Sequence, residues 1–174
     1  MSETTIPTPQ LNRIKENISL AYMYSLNALV NYAVQPANRA FDDEGIDMTV
    51  INRLLGSNRT VASDAHTIHM QLKAVSITSK TMIEEDNSSI TYTLKRDLVP
   101  IDTFFLVVVV LPGEDVIDTW RECTPEMIIL RKCAYFLHVP TTLRAGKIKI
   151  PKTNILNPDS FMKLFEVANR KDVV

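Results

Sequence analysis

The sequence predicts an α+β fold: a central, mostly antiparallel sheet of at least three strands, packed by a long N-terminal helix and by C-terminal helices. Three observations carry this expectation. An apolar stripe with helical spacing runs from about Gln10 to Ala33. Apolar and polar residues then alternate in two later stretches, Ile68–Ala74 and Ile90–Lys95. Finally, Phe104–Leu111 is an unbroken aromatic and β-branched run, the pattern of a strand covered on both faces. At 174 residues and 45% apolar content, the chain suits a flexible arm over 1–9 and a single compact domain over 10–174.

Residues 1–9 are polar and hold two prolines, which favour an extended arm. In the first helix, Leu11, Ile14, Ile18, Ala21, Tyr22, Ser25, Leu29 and Tyr32 recur every three or four residues, and Pro36 is expected to end it. Asn38–Gly45 reads as an acidic loop. Asp47 is placed to cap a short helix over Met48–Leu55, closed by Gly56, before a loop over Ser57–Asp64. From Ile68 the period becomes two, as in a half-buried strand. Val75 and Ile77 break the parity, which implies a bulge or a strand passing under cover.

Glu84–Ser89 reads as a turn, and Ile90, Tyr92 and Leu94 as a strand forming a hairpin with the one before it. Pro112-Gly113 ends the central strand. A short helix is expected over Glu114–Glu122. Thr124-Pro125 has the form of a helix start, so Met127–Val139 is expected to be helical, although its β-branched and aromatic residues also suit a strand. Lys147-Ile148-Lys149-Ile150 alternates as an edge strand with one charged face. Asn157–Ser160 opens a last helix, with Phe161, Leu164, Phe165 and Ala168 on one side.

The four glycines stand alone, so no Gly-rich phosphate cradle and no dinucleotide-binding fingerprint exists. His66 and His69 would point to opposite faces of a strand, and Cys123, Cys133 and His138 lack metal-ligand spacing. No nucleophile elbow is present. The expectation is a non-enzyme with no catalytic residue, no metal, no cofactor and no small-molecule substrate. A Cys133/His138-dependent hydrolase or transferase is the weakest alternative. With no secretory signal, no spanning segment and two cysteines, the expected setting is the reducing cytoplasm or nucleus.

Charge is unevenly divided. Residues 1–120 hold 9 basic and 15 acidic residues, a net of −6, whereas residues 121–174 hold 10 basic and 5 acidic, a net of +5. Arg144, Lys147, Lys149 and Lys152 are therefore candidates for contact with RNA phosphates or anionic lipid headgroups, against the alternative that edge-strand lysines block aggregation. Asp42, Asp43, Glu44 and Asp47 are candidates for self-association with the basic segment of another copy.

The length, the arm Ile6-Pro7-Thr8-Pro9, the β-rich middle Ile68–Leu111 and the absence of catalytic and spanning motifs resemble the small matrix proteins of plant rhabdoviruses, the cytorhabdoviruses in particular. That resemblance implies a structural protein that self-associates as a homo-oligomer, condenses a nucleocapsid (its protein or RNA) and meets the inner membrane face. Many matrix proteins are strongly basic, whereas this chain has a net charge of −1. The alternative is an adaptor or regulator that binds a protein partner through the 10–33 helix.

Overall fold

The computed structural model describes residues 8–37, 45–52, 66–79, 82–100, 103–113, 117–126, 128–130 and 133–169. In chain order the elements are α1 (Thr8–Val30), β1 (Ala33–Pro36), β2 (Met48–Asn52), β3 (His66–Ser76), β4 (Ile83–Glu85), β5 (Ser89–Leu94) and β6 (Phe104–Leu111). A 3-10 turn (Ile117–Trp120), β7 (Arg121–Cys123), β8 (Ile128–Leu130), β9 (Cys133–His138), β10 (Gly146–Pro151) and α2 (Pro158–Asn169) complete them. β1, β2, β3, β6 and β9 form a five-stranded sheet in that order; β10, β5 and β4 form a second sheet, and β7 and β8 a ribbon. Every pairing is antiparallel except β3 with β6. The fold is thus the α+β arrangement expected, with one long N-terminal and one C-terminal helix.

β6 explains the layering. All eight of its residues are buried. Phe105, Val107, Val109 and Leu111 meet Met23 and Leu26 of α1 and Phe161, Leu164 and Phe165 of α2. Phe104, Leu106, Val108 and Val110 meet Ile90, Tyr92, Ile148 and Ile150 of the small sheet. Each such side chain contributes roughly 1.5–3 kcal/mol by leaving water. The large sheet therefore lies between a helical layer and a second sheet. Val75 belongs to the small-sheet side, and the β3–β6 ladder continues unbroken to Ser76 opposite Leu111. The strand passes under cover; it does not bulge.

Four local expectations are corrected. Met48–Leu55 is not a helix: Met48–Asn52 is β2, whose Met48, Val50 and Asn52 point inward while Thr49 and Ile51 alternate. Its β-branched residues fit a pleated surface better than a helical turn. Met127–Val139 contains two strands, β8 and β9, and its described residues form no helix. The Thr124 hydroxyl accepts a bond from the Glu126 N–H at 3.3 Å, so the cap chemistry serves an isolated turn. In the Glu114–Glu122 segment the described residues, from Ile117 on, form a short 3-10 turn and then enter β7. Lastly, β5 does not form a hairpin with β3. Its hairpin partner is β4, across a turn in which the Asp86 carboxylate accepts from the N–H groups of Ser88 and Ser89.

α1 ends earlier than Pro36 required. Asn31 takes a left-handed conformation (φ 58°), and the Tyr32 N–H reaches back to the Asn27 carbonyl at 3.1 Å. This closes the last turn, and Asn is one of the few residues that adopts that conformation readily. α2 opens as expected, with Asn157 and Ser160 exchanging side-chain-to-main-chain bonds of 2.8 and 2.9 Å.

Candidate functional site

Asp47 determines how far β2 covers β3. β2 pairs with His66–Met70 only. Beyond Met70, the Asp47 N–H still bonds the Met70 carbonyl, and the Asp47 carboxylate takes the Leu72 N–H at 2.6 Å. Two residues before Asp47, Gly45 has a φ of +81°, which few L-residues adopt. A Cβ on Gly45 would lie 2.9 Å from the Gln71 side-chain nitrogen, so a larger residue would also push the Gln71 amide aside. Asp47 thus caps a strand, not a helix, and that bond commits the carboxylate within its own fold.

The rest of β3 consequently has one paired edge and one open edge. His69 N–H bonds Thr103 and Ile77 N–H bonds Leu111, so odd-numbered residues of β3 direct their main-chain groups at β6. Even-numbered residues direct theirs the other way. Among the described residues no strand pairs with Gln71–Ser76 on that second side. The Leu72 carbonyl and the N–H and carbonyl of Ala74 face a groove of about 830 Å³. Its floor is Gln71–Val75; one wall is α1 from Asn12 to Leu20, and the other is Met82, Tyr92 and Leu94–Arg96.

Gln71 is the unusual residue in this groove. It is 1% exposed, yet neither its amide nitrogen nor its amide oxygen has a hydrogen-bond partner. A buried amide left unsatisfied costs free energy, so such groups mark places that something else completes. Among its described lining residues, Lys95 and Arg96 are exposed cations on the wall beside Tyr92 and Leu94.

The basic candidates lie elsewhere, around the small sheet. Lys147 reaches across β5 to Glu84 at 2.5 Å, Lys152 pairs with Glu85 at 2.5 Å, and Arg144 pairs with Asp97 at 2.6 Å. Lys149, opposite Thr91, is exposed and has no carboxylate partner among the described residues. The acidic first part and basic last part of the chain therefore meet within one molecule. Glu84 and Glu85, which the sequence places in a solvated turn, are the partners. Asp42, Asp43 and Glu44 lie outside the described residues.

Cys133 and His138 are not brought together. Cys133 lies opposite Val110 on the small-sheet side, whereas His138 lies opposite Phe105 on the helical side, its ring 5.0 Å from that phenyl ring. Burial pushes the Cys133 thiol pKa up and the His138 pKa down. Cys133 instead borders an apolar recess of about 310 Å³ with Ile77, Ile90, Val110 and Tyr135. His69 is held by Thr49 at 3.0 Å. No cluster of three metal-ligating side chains occurs among the described residues, and no helix there is long and apolar enough to cross a membrane.

The groove was not visible in the sequence, because main-chain groups make it and no motif marks them. Gln71 reads there as one polar residue of an alternating strand. Comparison with known proteins finds no matching family model, no similar curated protein and no matching solved structure.

Proposed function

We propose that this chain is a non-enzymatic binding and assembly protein that recognises other polypeptides through the groove beside β3. The observation that carries this reading is the buried Gln71 amide, unpartnered at the floor of a groove lined by open main-chain groups. A matrix-like role, with contacts to its own copies and to a nucleocapsid protein, is one form of the same reading. The adaptor reading based on α1 is less well supported, because Met23 and Leu26 of that helix belong to the core and Leu11, Ile14 and Ile18 pack against it. The RNA or lipid reading loses support from the pairing of Arg144, Lys147 and Lys152 with carboxylates, which leaves Lys149 alone of the four without a carboxylate partner among the described residues.

The test is selection of a random peptide library on the immobilised full chain, followed by titration of the selected peptides. The expected result is a recurring peptide class that binds in the micromolar range (~10⁻⁶ M) and loses at least about tenfold in affinity for the Gln71→Leu chain. A library that yields no specific binder, or binders indifferent to Gln71→Leu, would overturn the reading.

A further inference from the structure

The geometry points to an extended, acidic peptide segment as the occupant of this groove, added to β3 as a further strand beside Leu72–Val75. This rests on the polypeptide-binding reading above and names the partner's chemistry.

Main-chain geometry argues for a strand. β2 supplies a partner to β3 only as far as Met70, and Asp47 then stands in for one more residue through its carboxylate. Beyond it, the Leu72 carbonyl and the N–H and carbonyl of Ala74 keep the spacing of a sheet edge with nothing paired to them among the described residues. The groove continues the line of β2 past Asp47, and its five-residue floor is ~17 Å long, the length of a short strand. The walls of α1 and the small sheet rise on either side, so a slender chain fits where a folded sheet edge would collide. The two outermost strands of the large sheet are protected. The outer edge of β9 accepts bonds from Leu156 and donates to Asn154, and β1 is four residues long and ends in Pro36.

The side chains argue for acidity and for a fixed register. Lys95 and Arg96, both exposed, stand together on one wall of the groove, where they can meet the side chains of an anionic peptide. The Gln71 amide offers both a donor and an acceptor, the pair that a peptide unit or a side-chain amide satisfies at once. Strand addition supplies affinity from main-chain bonds and selectivity from the side chains that flank them.

The probe is acetyl-Glu-Val-Glu-Val-Glu-Val-amide, titrated into the full chain and followed by amide exchange. The controls are its Lys-Val counterpart and an N-methylated acidic version that keeps the charge but lacks strand donors. Protection of the Ala74 amide is expected with the acidic peptide. So are binding at least ~10-fold tighter than either control and weakening of several-fold between ~0.05 and ~0.3 M salt. Ala74→Pro, which removes an N–H directed away from β6, should abolish binding. Lys95→Glu with Arg96→Glu should weaken it at least ~10-fold. If Ala74→Pro fails to fold, the N-methylated peptide tests the same bonds on the unaltered chain. Equal binding of the controls, or protection away from β3, would overturn the strand. If library-selected peptides need Gln71 while the acidic probe does not bind, the strand inference alone fails. If neither binds, the polypeptide-binding reading fails with it.

Discussion

Gln71 and His138 each put a measurable mark on stability. Replacing the buried, unpartnered Gln71 amide by leucine removes two orphaned polar atoms at nearly constant volume. Gln71→Leu should therefore raise the unfolding free energy by about 1–2 kcal/mol in urea titrations, the reverse of an ordinary core change. A loss of stability would mean that the amide is already satisfied in the native state. His138 is governed by burial, which favours its neutral form and lowers its pKa from the ordinary 6.5. The unfolded chain then takes up the proton first as pH falls. This contribution is fully present above about pH 6.5 and declines as pH drops through the window down to the lowered native value. Urea midpoints of the native chain should fall across that window, and those of His138→Phe should fall less. At the acid end, the Ser88 and Ser89 N–H groups hold the Asp86 carboxyl well below the usual carboxylate range. Its contribution is present above the ordinary carboxylate pKa and is lost as pH falls through the native one.

Among the elements, those with a single compatible period were legible in the sequence. β6 could be read because eight consecutive apolar residues admit one explanation, and β10 because Lys147 and Lys149 alternate with Ile148 and Ile150. α2 was legible from its Asn157 cap and its Phe161, Leu164, Phe165 stripe. Truncating that stripe tests the element: Leu164→Ala should cost about 2–5 kcal/mol by calorimetry or urea, because Leu164 is fully buried between α2 and the sheet. A cost below 1 kcal/mol would place α2 outside the cooperative core. Segments compatible with both periods were misjudged. Val50 and Ile51 suit a helix face as well as a strand, and sheet pairing with Ile68 and Thr67 decided the matter. β4 was hidden because only Ile83 of its three residues is buried, leaving Glu84 and Glu85 to read as a loop. The site was less legible than the fold, since it depends on where β2 stops.

At the scale of the whole molecule, β6 makes one core out of two. Its alternate side chains enter the helical and the small-sheet layers, so neither layer loses its packing without disturbing the other. Fluorescence of Trp120, which packs on the helical side, should therefore report the same unfolding midpoint as far-UV circular dichroism. Separate midpoints would show that the layers unfold independently. The charge asymmetry between the two parts of the chain has its counterpart here as well. Glu84, Glu85 and Asp97 meet Lys147, Lys152 and Arg144, so sequence-distant charges flank the same small sheet. Exposed pairs of this kind contribute little to stability, and register is their more plausible use.

The small sheet also sets a timetable for synthesis. β5 pairs with β10, whose first residue, Gly146, lies some 50 residues after Leu94. At ~5–20 residues per second, β5 waits roughly 3–10 s on the ribosome before its neighbour exists. During that interval Ile90, Tyr92 and Leu94 lack β10 and rest on β4, on β6 and on earlier residues such as Val75 of β3. α2, the second half of the helical cover, emerges later still. The chain must therefore hold a half-covered sheet until its last thirty residues arrive.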